Sequence, residues 1–274
     1  MTQYMNISGY KFIPLQKIAT LRVDLLKLAG QLDLKGTILL SYEGINITLA
    51  GLPDAIDEYK NMLMQDERFA DINFKVSYSD FIPFSKMIIR LKEEIVTMGV
   101  KNIKAPSVPE NTISPQELKQ WYDEGKEFTI LDTRNVYETK IGTFENAKLL
   151  PLENFRQFPA LAKAMGDKEK TKPIVMYCTG GVRCEKAMPM LQELGFKEIY
   201  QLHGGIIKYL EECGGAHYQG ECFVFDERIA VDATLKVTGT KLCSVCQVPV
   251  TQTEQVESNF EQTQQCLECI SSSR

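Results

Sequence analysis

"PIVMYCTGGVRCEKAMPMLQELG", residues 173–195, decides how the chain reads. Ile174–Tyr177 is a short apolar run behind a proline, the mark of a strand buried on both faces. "EKAMPMLQELG" has helical periodicity and stops at Gly195, which predicts a helix beginning near Glu185. Strand, loop and helix in this order make one unit of a parallel α/β sheet. Ligands of such sheets bind beyond the carboxyl ends of the strands, where Cys178 falls. Gly180 and Gly181 let the backbone of Thr179, Gly180, Gly181, Val182 and Arg183 curl so that N–H groups face the sulfur. The helix N-terminus and Arg183 add positive potential, and together these favour a thiolate. Cys178 therefore reads as a nucleophile or as a carrier of anionic sulfur, against the plainer reading of a packed thiol. Cys184, six residues on, either resolves an oxidised Cys178 as a disulfide or simply packs on the first helical turn.

The same alternation extends outward over 114–217. "SPQELKQWYDEG" predicts a helix with Pro115 in its first turn, "FTILDTR" a buried strand, and "ENFRQFPALAKAMG" a helix. "EIYQL" predicts a strand and "GGIIKYLEEC" a last helix. Residues 96–113, with Pro106 and Pro109 and little periodicity, read as a linker. Residues 1–95 run βαββαβ: "YKFIPL", a helix with Ile18, Leu21, Leu25 and Leu28 on one face, "KGTILLSYEGINITLAG" as two strands broken at Glu43-Gly44, a second helix, and "INFKVSYSD". "KMIIRLKEEIV" closes the sheet. This order predicts a ferredoxin-like α+β sandwich preceding the α/β domain. Residues 218–274 form a shorter, polar, cysteine-rich segment.

The 274 residues suit two domains and an appendage, and 44% hydrophobic content gives material for real cores. A formal net charge of -5 carries no overall signature of nucleic-acid binding. No apolar stretch approaches a membrane span, and the N-terminus lacks signal-peptide order. A cytoplasmic location is expected, with the eight cysteines free, catalytic or metal-bound. "CSVC" (Cys243, Cys246) and "CLEC" (Cys266, Cys269) stand 19 residues apart, a spacing that fits four thiolates on one structural zinc. Lys86, Arg90 and Lys92, with Lys101 and Lys104 in the linker, are candidate phosphate contacts or a solvated strand edge.

Four residues separate Cys178 from Arg183, which resembles the C-x4-R active loop of the rhodanese family, sized for a sulfur atom. "ILDTRNVYE" resembles its D-x-R…E element, giving Asp132, Arg134 and Glu138. "LHGGIIKY" resembles its L-x-GG element, with Tyr209 where tryptophan is common. "KIGTFENAKLLPL" departs from it, lacking the usual histidine. The order "GTILLSYEGINITLAG", "FSKMIIRLKEEIVTMG", "YCTGGVRCEKA", "GECFVFDERIAV" is similar to the rhodanese-containing, oxygen-dependent tRNA uridine(34) hydroxylases. That resemblance implies hydroxylation of the wobble uridine to 5-hydroxyuridine, molecular oxygen as co-substrate, and the tRNA anticodon loop as partner. It makes Cys178 the active cysteine, with Asp132 and Arg134 supporting its loop by hydrogen bonds. No flavin or NAD motif is present in strand–helix context, and a two-His iron site needs both histidines, His203 and His217. The loop alone fits a sulfurtransferase carrying sulfane sulfur on Cys178 as well as it fits hydroxylation, and a second alternative is a non-enzymatic rhodanese-fold adaptor. The sequence leaves the oligomeric state open.

Overall fold

The N-terminal sheet follows from strict alternation. Strands β1 (Tyr4–Phe12), β2 (Lys35–Ser41), β3 (Gly44–Gly51), β4 (Lys75–Ser79) and β5 (Met87–Leu91) lie in the order β4-β1-β3-β2-β5. All pairs are antiparallel except β2 with β5. In this computed structural model, which describes residues 3–100, 103–106 and 111–272, one face of the sheet presents Ile7, Ile38, Leu40, Ile45, Ile47 and Leu49. That face is covered by helices α1 (Ile18–Gln31) and α2 (Pro53–Met64), through Leu25, Ile56, Tyr59 and Leu63. Each such side chain contributes about 1.5–3 kcal/mol on burial, which holds the two layers together. The opposite face carries Ser8, Tyr10, Thr37, Asn46, Thr48 and Lys75, all half-buried, and no helix covers it. The ferredoxin-like topology and the closing fifth strand match expectation.

The second sheet has the all-parallel order β6-β11-β10-β7-β9, from β6 (Thr112–Ile113), β7 (Thr129–Asp132), β9 (Lys148–Leu149), β10 (Ile174–Tyr177) and β11 (Ile199–Leu202). Its helices are α3 (Pro115–Asp123), α4 (Val136–Thr139), α5 (Phe158–Lys163), α6 (Val182–Glu193) and α7 (Gly205–Cys213). Helix α3 starts with a capping box in which Ser114 and Glu117 satisfy each other's backbone N–H groups. Two elements differ from the sequence reading. The helix expected across 153–166 is a 3₁₀ turn at Phe155–Gln157 running into α5, because Pro159 has no N–H to continue the ladder. Helix α6 begins at Val182 rather than near Glu185, because Gly181 turns left-handed at φ 99° and releases the chain into a helix at once.

The chain after 217 is not a separate appendage throughout. Strand β12 (Tyr218–Gly220) pairs with β8 (Gly142–Phe144), and β13 (Cys222–Phe223) pairs with β14 (Ala230–Val231). Cys222, Val224 and Val231 join the core under the parallel sheet. The end has a small core of its own, from β15 (Lys241–Leu242), β16 (Pro249–Val250), α8 (Gln252–Glu257), α9 (Phe260–Thr263) and α10 (Leu267–Ser272), around Cys243, Val250, Phe260 and Cys266, and meets the main body where Leu242 packs against Ile141, Phe223 and Ala230. Lys101 and part of the expected linker lie outside the described residues. Among the described residues no helix is long and apolar enough to cross a membrane.

One buried cation ties the two sheets together. Lys186 of α6 is 1% exposed and pairs with Glu43, at 2.9 Å in the β2–β3 turn, and with Glu94 beyond β5. Its ammonium also donates to the Val96 carbonyl oxygen at 3.3 Å. Burial pushes the Glu94 carboxyl up, but Lys186 and the N–H groups of Met98 and Gly99 hold it below its usual range. Removing one partner of a buried pair strands the other, so Lys186→Met is expected to cost about 3 kcal/mol in urea unfolding. A change below about 0.5 kcal/mol would show that the clamp does not hold the domains, as exposed pairs typically do not.

Candidate active site

Strand β10 is buried along its whole length between β7 and β11, and it delivers Cys178 to the carboxyl edge of the sheet. Two glycines make the turn possible. Gly181 donates its N–H to Cys178 Sγ at 3.1 Å, and a side chain there would meet the Tyr10 hydroxyl at 2.9 Å. Gly205 has φ 68°, and a Cβ there would strike the carbonyl oxygens of Cys178 and Thr179 at 2.5 and 2.7 Å. Its bareness lets α7 begin directly on the loop, so that Ile206 and Ile207 donate to those two carbonyls at 3.0 and 3.2 Å. This is the physical sense of "LHGGIIKY".

Burial alone pushes the Cys178 thiol up. It is outweighed by a hydrogen bond from the Cys184 thiol, the charge of Arg183, and the backbone N–H groups of Arg183 and Gly181, which hold the pKa at about 6. Cys184, itself buried, is driven well above its ordinary value by burial and by Cys178, so it stays protonated as the donor. Its sulfur lies 3.8 Å from Thr133 Oγ1. At neutral pH the pair is one thiolate and one thiol.

Arg183 is fixed by Glu138 of α4, with two parallel bonds of 2.7 and 2.6 Å between buried groups, and its guanidinium lies over the Phe225 ring. Asp132 and Arg134 sit differently from the expectation that they hydrogen-bond to the cysteine loop. They pair with each other at 2.7 Å, fully buried, and Arg134 donates onward to the Gly142 carbonyl oxygen. The residue between them, Thr133, reaches the loop side. Its hydroxyl donates to the Tyr177 carbonyl oxygen at 2.9 Å, and Arg183 approaches its carbonyl oxygen. The buried ion pair therefore sets the turn that aims Thr133.

The sequence reading missed the opposite wall. A cavity of about 350 Å³ lies between the cysteine loop and the uncovered face of the N-terminal sheet. Cys178, Thr179, Gly180, Val182 and Arg183 line one side; Ser8, Tyr10, Thr37, Asn46, Thr48 and Lys75 line the other. Phe225 and Arg228 close it from the C-terminal segment, and Arg228 is held by Asp226 and by Ser77 Oγ at 2.7 Å. Tyr10 donates to Glu185 at 2.9 Å and Gln201 donates to the same oxygen at 3.0 Å, joining β1 to α6 beside Cys178. The alternation of small polar residues on the free sheet face was the available signal.

Lys86, Arg90 and Lys92 are exposed at edge strand β5, and Lys104 is exposed beyond it. Arg90 pairs in register with Leu39, on the face that lines the cavity. Lys86 borders a second opening that shares Thr37, Val224, Phe225 and Asp226 with the first. The two histidines are not brought together. His217 stacks on Tyr122 between Asp123 and Glu145, while His203 faces Lys75 and Lys208. Among the described residues the one convergent set of metal-ligating atoms is Cys243, Cys246, Cys266 and Cys269, all four sulfurs within 4.8 Å of one another. Cys246 and Cys266 stand 3.7 Å apart, and the Cys266 N–H donates to Cys243 Sγ.

Comparison with known proteins matches two family models: a UPF0176 acylphosphatase-like domain over residues 4–95 and a rhodanese-like domain over 114–212. A tRNA uridine(34) hydroxylase of Cupriavidus necator is 44% identical over 98% of each chain. One of Ralstonia nicotianae is 45% identical over 97% of this chain and 96% of its own. One of Bordetella petrii is 44% identical over 87% of this chain and 97% of its own.

Proposed function

The chain belongs to the tRNA uridine(34) hydroxylase family, and from that premise we propose that it converts the wobble uridine of tRNA to 5-hydroxyuridine with molecular oxygen, using Cys178 as nucleophile. It is an enzyme acting on tRNA in the cytoplasm. The observation that carries the residue assignment is the Cys178 sulfur, cradled by the Gly181 N–H with its pKa held down by Arg183 and Cys184, at a cavity walled by a second domain. Carbon 5 of uracil is a poor nucleophile in the resting ring. Addition of the Cys178 thiolate to carbon 6 moves the C5–C6 π pair toward the C4 carbonyl, leaving an enolate whose carbon 5 is electron-rich. Expulsion of the thiolate after oxygenation restores the double bond. Placing one atom of O2 on carbon 5 and releasing the other as water takes two electrons and two protons besides. Once expelled from carbon 6, the Cys178 thiolate can form a disulfide with the Cys184 thiol, which supplies the two electrons and one proton; the second proton comes from solvent, and an external thiol must reduce the disulfide before the next turnover.

Lys86, Arg90 and Lys92 support the anticodon arm at the rim of the cavity. The four-cysteine cluster fits zinc: sulfurs at about 2.3 Å from one tetrahedral zinc stand about 3.8 Å apart, as Cys246 and Cys266 nearly do. Zinc there leaves no open position and serves folding. The relatives give no support to sulfur transfer or to an adaptor role. Nucleoside mass spectrometry of tRNA from cells lacking this protein and other uridine-34 hydroxylation routes tests the function. Supplying the chain is expected to restore 5-hydroxyuridine at position 34; unchanged tRNA in aerated cells would overturn it.

A further inference from the structure

Lys75 enters the cavity from β4 without a partner. Its ammonium lies 4.9 Å from the centroid of the Tyr10 ring, and among the described residues it makes no hydrogen bond or ion pair. An ammonium carries three donors, and removing it from water without acceptors is costly. The buried cations around the site are all satisfied: Arg183 by Glu138, Arg228 by Asp226, and Lys186 by two glutamates. Lys75 alone is held ready for something that arrives.

We propose that Lys75 is the electron-sink cation of this enzyme, donating to a carbonyl oxygen of the uracil ring as the negative charge forms there when Cys178 adds to carbon 6. The inference rests on the reading of Cys178 as nucleophile. The geometry supports it in three ways. Lys75 and Cys178 line one cavity from opposite walls, which is the arrangement a ring clasped between nucleophile and electron sink requires. Tyr10 anchors the ammonium by its ring face while its hydroxyl is committed to Glu185, so Tyr10 orients the cation without consuming a donor. The step balances: the thiolate pair forms the S–C6 bond, the π pair ends on the carbonyl oxygen, and no proton moves.

Burial lowers the Lys75 pKa to about 8, against the opposing pull of Cys178 and Glu185 and with the help of Lys208. The charged or titratable groups that face it are Tyr10 on β1, Cys178 and Glu185 at the loop and α6, His203 after β11, and Lys208 on α7. The ammonium is the working form, so activity that depends on it falls as pH rises through about 8.

The test uses the full-length protein and an anticodon stem–loop carrying 5-fluorouridine at position 34, a ring with a more electrophilic carbon 6 whose thiolate adduct accumulates without oxidant as solvent protonates carbon 5, and is read by mass. Wild type is expected to form the adduct and Cys178→Ala none. Lys75→Met is expected to slow trapping roughly 100-fold, the effect of losing one donor to a developing oxyanion, with stem–loop affinity and melting temperature near those of wild type. Lys75→Arg is expected to recover part of the rate and to lose the alkaline limb near pH 8. Trapping by Lys75→Met at the wild-type rate and pH profile overturns the assignment while leaving Cys178 in place. So does a loss of affinity with unchanged trapping rate, which marks a phosphate contact instead. Failure of wild type to form any adduct overturns the nucleophile reading and Lys75 with it.

Discussion

Cys178→Ser is expected to lower 5-hydroxyuridine formation by roughly 10³-fold or more, as loss of a nucleophile does elsewhere, with tRNA binding retained. Serine fits the cradle, since the same N–H of Gly181 and the same Arg183–Glu138 pair remain around it. What it lacks is ionisation. The cradle brings a thiol to about 6, and an alcohol starts so much higher that it stays neutral at any working pH. The wild-type rate is therefore expected to rise with pH through about 6, as the thiolate forms, and to stay level until it falls through about 8, where Lys75 loses its proton. Cys184→Ala removes the donor that helps hold the thiolate, and also the second thiol of the proposed disulfide, so its acidic limb is read in adduct formation with the 5-fluorouridine stem–loop and not in turnover. A hydrogen bond to a charged group is worth about 1.5 kcal/mol or more, so this limb should move up by about one pH unit. A Cys178→Ser enzyme within tenfold of wild type would leave the loop as a binding surface and require another nucleophile. An unmoved limb in Cys184→Ala would mean that Arg183 and the backbone suffice.

The sequence could show this loop because its signals are local. An apolar tetrapeptide, two glycines and an arginine within eleven residues determine strand, turn and charge without reference to the rest of the chain. The β1-to-β4 topology was equally legible, since each strand of the first sheet alternates and each helix carries one apolar face. What stayed hidden was non-local. Glu138, placed by resemblance in the same motif as Asp132 and Arg134, shows its purpose only when α4 brings it onto Arg183. Lys75 and Tyr10 read as ordinary strand residues, because nothing near them in sequence says that the helix-free face of their sheet meets Cys178. Phe225 and Arg228 were hidden for the opposite reason. They lie in a short polar segment whose composition suggests an appendage, although Cys222 and Val224 insert it into the main core.

Loss of the metal is expected to unfold residues 240–272 and little else. The small core of the terminal unit is built on two large apolar side chains besides its cysteines, Val250 and Phe260, worth about 3–6 kcal/mol together, with buried Pro249 beside them. Structural zinc on four thiolates would supply about 10–16 kcal/mol, so on the zinc assignment the metal and not the core would decide whether this segment folds. The purified protein should hold one zinc per chain by elemental analysis, and a Cys243→Ser, Cys266→Ser double variant should hold almost none. Hydrogen exchange should then lose protection across α8, α9 and α10 while β10 and α6 keep theirs, because those lie in the separate core around Met176 and Leu191. The one ion pair recorded from α8 to the main body, Lys140 with Glu254 at 3.2 Å, is partly exposed and too weak to hold the segment in place. Full protection of residues 243–269 in metal-free protein would sink the zinc assignment and return the four cysteines to the status of packed thiols.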